Sequence, residues 1–345
     1  MNKLKLIVAL VAGLFAFTSV NAGEMSVTGS MHVSYQSEVD DVTGNPLGMN
    51  TDLTFSGSTD TDFGTASFSL ATDGTFLGDS GADHTYSLAT DLGTFSVANN
   101  GDAGNAVDDI TPTAFEEANG SGSGTYSVDF GSGMDGSMSI AYSNGDIMGT
   151  GISVKYSYYP KLDGKTNNEK AASAANDSAT DSAESINVGI PLAGLPVIGD
   201  SPLGGAKITL GYENSESRVT DAQAKEGGTV AVVMPVGPLS IGYQKKAYQS
   251  VGTSAAEAQD AFFKDDILGV AFAINDAAAI SYNVIESAKH LHTATGEVEQ
   301  ETKAINFAYT VGGLTLAFQD AKTSNAGYVA STDDDTRTLS IKTAF

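Results

Sequence analysis

Cysteine and tryptophan are missing from all 345 residues, and Arg218 and Arg337 are the only arginines. Without cysteine there is no disulfide framework and no thiolate zinc site, so the fold must close through backbone hydrogen bonding and packing. Basic side chains are scarce: 17 Lys and Arg stand against 42 Asp and Glu, a formal net charge of −25. A nucleic-acid partner needs a basic face, so that class is excluded. Past residue 22 no unbroken apolar stretch reaches the roughly 18 residues that a membrane-spanning helix needs. Intrinsic disorder is the plain reading of high net charge. The 41% hydrophobic content and its regular spacing argue against it.

The start of the chain has the layout of a secretory signal. Lys3 and Lys5 precede an apolar run over residues 6–17, and Val20, Asn21 and Ala22 offer small residues around a cleavage point. Residues 1–22 are therefore read as a signal peptide and 23–345 as one domain. With Lys3 and Lys5 removed, 15 basic residues face 42 acidic ones, a net of −27.

What fills that domain is alternation. In the last nine residues, Arg337, Leu339, Ile341, Thr343 and Phe345 fall on one face and Thr338, Ser340, Lys342 and Ala344 on the other. Only a β-strand has that period. The same pattern sets Met25, Val27, Met31, Val33 and Tyr35 against Ser26, Thr28, Ser30, His32 and Ser34, and it returns along most of the chain. Connections alternate between short (275–277, 312–313) and long and polar (214–227, 247–264, 288–298, 320–335). Two short ones, Thr61-Asp62-Phe63-Gly64-Thr65 with its neighbours and Thr90-Asp91-Leu92-Gly93-Thr94, are near copies, with Gly supplying the positive φ of a hairpin. Alternating apolar and small polar faces joined by alternately short and long connections describe an up-and-down barrel in a membrane. The apolar face meets lipid, the polar face lines water, and closure leaves no unpaired edge. Tyr35, Tyr142, Tyr158, Tyr159, Tyr212, Tyr243, Tyr309 and Phe345 stand near strand ends, where interfacial aromatic girdles are expected.

Seventeen segments qualify as strands, the odd one lying among those between residues 93 and 160. Both termini on one side demand an even number. The expectation is all-β: a closed antiparallel transmembrane barrel of 16 strands, with 18 as the alternative, short periplasmic turns and long extracellular loops.

The rhythm breaks over residues 100–123, which contain Asp102, Asp108, Asp109, Glu116 and Glu117 and no Lys or Arg. A loop of this length inside a compact domain is usually functional. Other polar clusters are weaker signals. His290 and His292 form a two-ligand His-x-His, and Asp333, Asp334 and Asp335 lack EF-hand spacing.

Signal peptide, alternating strands, absent cysteine, long acidic third loop and terminal Phe345 together resemble the Gram-negative outer-membrane porin family, of the general trimeric type. The resemblance implies a barrel in the outer membrane that passes small hydrophilic solutes and ions by diffusion, performs no chemistry and assembles as a homotrimer among lipid and lipopolysaccharide. It implies that residues 101–122 fold into the lumen as a constriction lined by Asp102, Asp108, Asp109, Glu116 and Glu117, and that Phe345 serves as an assembly signal. No cofactor is expected beyond loosely held divalent cations such as Ca²⁺. One departure stands out. General porins face their acidic loop with an arginine cluster on the early strands, whereas the inward positions of the first strands here are Ser, Thr, Ala, Gln and Asp52, with His32. The lumen-facing bases are expected on later strands, as Lys155, Lys207 and Lys246, and the pore is expected to prefer cations. Alternatives are a solute-selective channel of the same build and a plugged structural or adhesive barrel.

Overall fold

The computed structural model describes residues 25–38, 45–73, 83–99, 101, 103–119, 134, 137–162, 180–194, 203–217, 224–249, 261–291 and 298–345. Sixteen strands follow one another around a closed antiparallel barrel in which each pairs with its neighbours in sequence and the last returns to the first. They are β1 (Met25–Glu38), β2 (Leu47–Thr61), β3 (Gly64–Asp73), β4 (Asp83–Thr90), β5 (Gly93–Ala98), β6 (Ser139–Asn144), β7 (Ser153–Tyr159) and β8 (Thr180–Pro191). The second half comprises β9 (Lys207–Ser217), β10 (Lys225–Val236), β11 (Leu239–Gln249), β12 (Ala261–Asn275), β13 (Ala278–Leu291), β14 (Val298–Val311), β15 (Leu314–Ser324) and β16 (Asp333–Ala344).

Closure runs from Ser30 opposite Ala344 to Glu38 opposite Thr336. Gly29 and Phe345 extend it by exchanging backbone hydrogen bonds of 2.8 and 2.9 Å. With 16 strands both chain ends lie at one rim, the rim of the short turns. The strand candidate at Tyr126, Val128 and Phe130 lies outside the described residues. Among the described residues β5 pairs directly with β6, Thr94 opposite Ser143 and Ala98 opposite Ser139, which completes the ring. The parity conflict resolves to 16 strands there.

The two near-copy turns are copies in their bonding as well. In each, a threonine hydroxyl donates to the glycine carbonyl and accepts from the second turn residue's N–H. Thr61 Oγ1 to Gly64 O is 2.7 Å and Thr90 Oγ1 to Gly93 O is 2.9 Å. Gly64 (φ 138°) and Gly93 (φ 120°) hold backbone angles that a side chain would strain. The long polar connections prove shorter than their sequence suggests. β9 runs to Ser217, β11 to Gln249, β13 to Leu291 and β15 to Ser324, so the strand ladders continue well into them. There the outward face turns polar or small, so the apolar alternation ends before the strand does. Conversely, β8 and β9 are joined at the short-turn rim by a longer connection, residues 192–206.

The barrel is turned inside out relative to a water-soluble protein. Leu316, Phe318, Ile305, Phe307, Leu339 and Ile341 point outward and are exposed, whereas Gln244, Asp265, Asn306 and Gln319 point inward and are completely buried. Burying the polar set while exposing the apolar one reverses the soluble rule and suits a hydrocarbon solvent. Along β14 the outward positions run Val311, Tyr309, Phe307 and Ile305, then change to Lys303 and Glu301. At that height outward tyrosines hand their hydroxyls to carboxylates on the next strand: Tyr156 to Glu184 at 2.9 Å, Tyr212 to Glu226 at 3.1 Å, and Tyr243 to Asp266. An aromatic body in the apolar band with a polar tip above it is the interfacial arrangement. Tyr159 does not join this girdle. It points inward and is buried with Met134, Leu162 and Ala183.

Candidate functional site: the loop inside the barrel

The chain between β5 and β6 lies against the inner wall, and its course can be followed anchor by anchor. Asn99 fixes the exit from β5: its Oδ1 accepts from the His84 N–H at 2.6 Å. Ser157 on β7 donates to the Gly101 carbonyl. On β8, Ser185 Oγ accepts from the Ala103 N–H at 3.2 Å and Asn187 Nδ2 donates to the Ala103 carbonyl at 2.7 Å. A short 3₁₀ turn, Asn105–Val107, brings the chain to β11. There Gln244 Nε2 donates to the carbonyls of Val107 (2.7 Å) and Asp108 (2.8 Å), and its Oε1 accepts from the Ile110 N–H at 3.3 Å.

Thr111 and Pro112 cross the wall where β11 and β12 carry Gly242 and Gly269. A Cβ on Gly242 would overlap the Pro112 ring, and one on Gly269 would come within 2.8 Å of Thr111 Cβ and Pro112 O. The glycines form a groove in the wall into which the loop settles. Beyond it, Asn283 Nδ2 donates to Pro112 O at 3.0 Å, Ser281 Oγ accepts from the Ala114 N–H at 2.9 Å, and Gln319 Nε2 donates to Glu117 O at 2.6 Å. Ala118 then sits on an apolar seat of Ile267, Ile285, Ala304 and Ala321. A loop inside a barrel must find partners for its backbone groups away from bulk water, and inward amides and hydroxyls supply them.

The five acids read from sequence fall in different places. Asp102 lies outside the described residues. Asp108, Asp109 and Glu117 converge, side chain hydrogen-bonded to side chain, on Lys246. Lys246 Nζ is 2.8 Å from Asp108 Oδ1 and 3.6 Å from Asp109 Oδ1. Glu116 stands apart, within the field of Lys342. Burial pushes Asp108 up to about 7 and Asp109 up to about 6, with the Lys246 charge opposing both. Burial also raises Glu116 and Glu117. Three linked carboxyls facing one ammonium hold a shared proton more readily than isolated carboxylates would.

The three bases separate too. Lys155 and Lys207 face inward and are exposed to the lumen. Lys246 also faces inward, but it is 1% exposed and bound under the loop, so it is a fastening and not a free lumen charge. Three further bases face inward; Lys342 was already on the polar face of the last strand, and Lys225 and Lys289 escaped the sequence reading. Lys225 pairs with buried Glu213 at 3.0 Å, Lys289 lies over the rings of Phe263 and Tyr328, and Lys342 is on β16. The anchoring amides Gln244, Asn283, Asn306 and Gln319 were missed as well. Their signal was present: each occupies an inward position on strands whose other inward residues are mostly small, hydroxylated or alanine. Phe345 lies exposed on the outer face at the barrel seam.

No family model matches the chain, and no curated protein sequence does. Solved structures do. A porin refined at 1.8 Å resolution superposes with a TM-score of 0.66 at 15% identity, covering 93% of this chain and all of that one. The chain has the porin fold. An anion-selective porin from Comamonas acidovorans superposes at TM-score 0.60 and 14% identity, over 94% of this chain and 100% of its own. OmpT, an outer membrane protein of Vibrio cholerae, does so at 0.60 and 11%, over 96% and 100%. Identities this low carry the porin fold and not the contents of the lumen, which rest on this chain's own residues.

Proposed function

We propose that this protein is an outer-membrane porin through which small hydrophilic solutes and ions diffuse, with a preference for cations. On this reading residues 1–22 direct export, the short-turn rim faces the periplasm and the long loops face outward among lipopolysaccharide. Export then leaves the mature chain in the outer membrane of a Gram-negative bacterium. The observation that carries the reading is the placement of the loop. Fastened across β7 to β15, it sets Asp109, Glu116 and Glu117 toward the lumen and leaves the hydroxyl-lined wall of β1 to β5 uncovered. Solutes then pass between an acidic ridge and a wall of Ser and Thr, and carboxylates at a constriction favour cations. No chemistry is asked of these groups; they screen by size and charge.

Assembly as a homotrimer is part of the proposal and is supported by the trimer form known for the Vibrio cholerae protein. The C-terminal Phe345, held at the seam opposite Gly29, is read as the signal for insertion. The test is single-channel recording of the purified mature protein in planar bilayers across a potassium chloride gradient. Stepwise conductance with a reversal potential of cation sign is expected. A stable, folded preparation that passes no current would sink the pore reading, and a reversal potential of chloride sign would sink the preference.

A further inference from the structure

Beneath the loop, toward the short-turn rim, lies a pocket of about 360 Å³ between the loop and the wall of β6 to β9. Its loop side is apolar, made by Ala106, Val107 and Ile110, and its wall side carries Lys155 and Lys207. Among the described residues neither lysine has an ion-pair partner, unlike Lys225 and Lys246. The position of Lys207 is built into the wall. Gly189, on the strand between β7 and β9, has no side chain, and the lysine folds over it: a Cβ there would lie 2.6 Å from Lys207 Cε, 2.9 Å from its Nζ and 2.5 Å from Ser153 Oγ. The loop acids do not neutralise the pocket. Asp108 and Asp109 flank Val107 and Ile110 in sequence, but their carboxyls are drawn to Lys246 and Glu117 on the long-loop side.

We propose that this pocket is a binding site for small organic dianions, two carboxylates joined by a short aliphatic segment. Two uncompensated ammonium groups on different strands call for two negative charges, and charge-assisted hydrogen bonds from each hold them. The apolar loop face opposite takes the methylene segment, and the volume suits a solute of that size. A site of this kind slows the passage of such acids through a pore that otherwise favours cations, and it makes their transport saturable. The inference rests on the pore reading for how the solute arrives, and not for its binding.

The test is equilibrium dialysis of the folded, detergent-solubilised mature protein with radiolabelled succinate, with butyrate and inorganic phosphate as competitors. Succinate is expected to bind with one site per chain, and butyrate to compete about tenfold more weakly because it forgoes one charged contact. Lys155→Gln and Lys207→Gln are each expected to weaken succinate by about tenfold on the same ground. Gly189→Ala keeps both charges but displaces the Lys207 ammonium, and it is expected to weaken succinate several-fold, which separates position from charge. Succinate binding unchanged in the Lys155→Gln/Lys207→Gln double variant overturns the site. Phosphate competing as well as succinate does so too, since the apolar face would then contribute nothing. Conductance of the same preparation reports separately on the pore. Lysine-dependent binding without current would remove the pore and leave the site; current without binding would remove the site alone.

Discussion

The lumen has two walls, and they are made differently. From β7 to β15 the loop covers amides (Asn187, Gln244, Asn283, Asn306, Gln319), the glycines Gly242 and Gly269, small residues and Lys246, most of them buried, while Lys155 and Lys207 beside it stay exposed. From β1 to β5 they are mostly Ser and Thr and stay half-buried to exposed, bonded mainly to each other. Ser26 meets Ser56 and Ser67 meets Ser87, both at 2.7 Å. The first wall is a seat with a fixed occupant, where the amides and hydroxyls under the loop reach for its backbone. The second is a solvated surface where water can stand in for any missing hydroxyl. The same alternating strand thus yields a rigid support or an aqueous lining, according to whether its inward residues reach for a backbone or only for water.

The sharpest way to break this contrast is at Lys246. Lys246→Met removes the ammonium and leaves buried Asp108, and Asp109 beside it, without their cation. Breaking a buried pair at one end costs about 3–5 kcal/mol. The loop is expected to release from β11 rather than the barrel to unfold, because the strand ladders do not depend on it. Single-channel conductance should rise and become noisy while the strand signal in circular dichroism persists. A quiet channel of unchanged conductance would show that the pair does not hold the loop. Gln319→Leu should act in the same direction by less, about 1–3 kcal/mol, since it leaves the Glu117 carbonyl without its 2.6 Å donor.

Next in size is the effect of pH. For Asp108 and Asp109, raised to about 7 and about 6, the folded state binds protons that the unfolded chain, near 3.8, has already lost. Their contribution to stability is therefore largest at low pH and declines as pH rises from about 4 to about 7. Charge runs the other way: the ridge gains negative charge over pH 5 to 7.5, so cation preference should increase across that interval. Reversal potentials at fixed salt and varied pH measure it. Asp109→Asn should flatten the profile; a profile that stays as steep would assign the titration elsewhere.

How much of this was legible beforehand follows from what each feature depends on. The barrel shows in the sequence because each strand sorts its own residues between lipid and water, a local property with period two. Residues such as Leu316, Phe318, Leu339 and Ile341 declare their face without knowledge of any neighbour. The turn copies at Thr61 and Thr90 are equally local. The loop's acids were visible as a group because the rhythm stops there. Their sorting was not, since Asp108 and Lys246 lie 138 residues apart and meet only because β11 stands under the loop. Lys246 faces inward as expected, but its face does not say that the loop covers it. Tyr159 is a different case: next to outward Tyr158, the period of two turns it inward and out of the girdle.

The smallest expected effect belongs to the uncovered wall, and it is where the contrast is most exposed to failure. Ser67→Ala removes one member of the Ser67–Ser87 pair. If that wall is an aqueous lining, water replaces the lost hydroxyl, and stability should change by no more than about 0.5 kcal/mol, as for ordinary surface positions. Ser281→Ala on the clad wall removes a group of the same chemistry whose oxygen accepts from the Ala114 N–H at 2.9 Å. It strands a buried donor, so it should cost about 1–3 kcal/mol. Urea midpoints of the two variants in detergent or lipid decide between them. Serine for serine, the difference isolates the covering loop as the cause, and equal midpoints would mean that both walls are wet and the loop rests on neither.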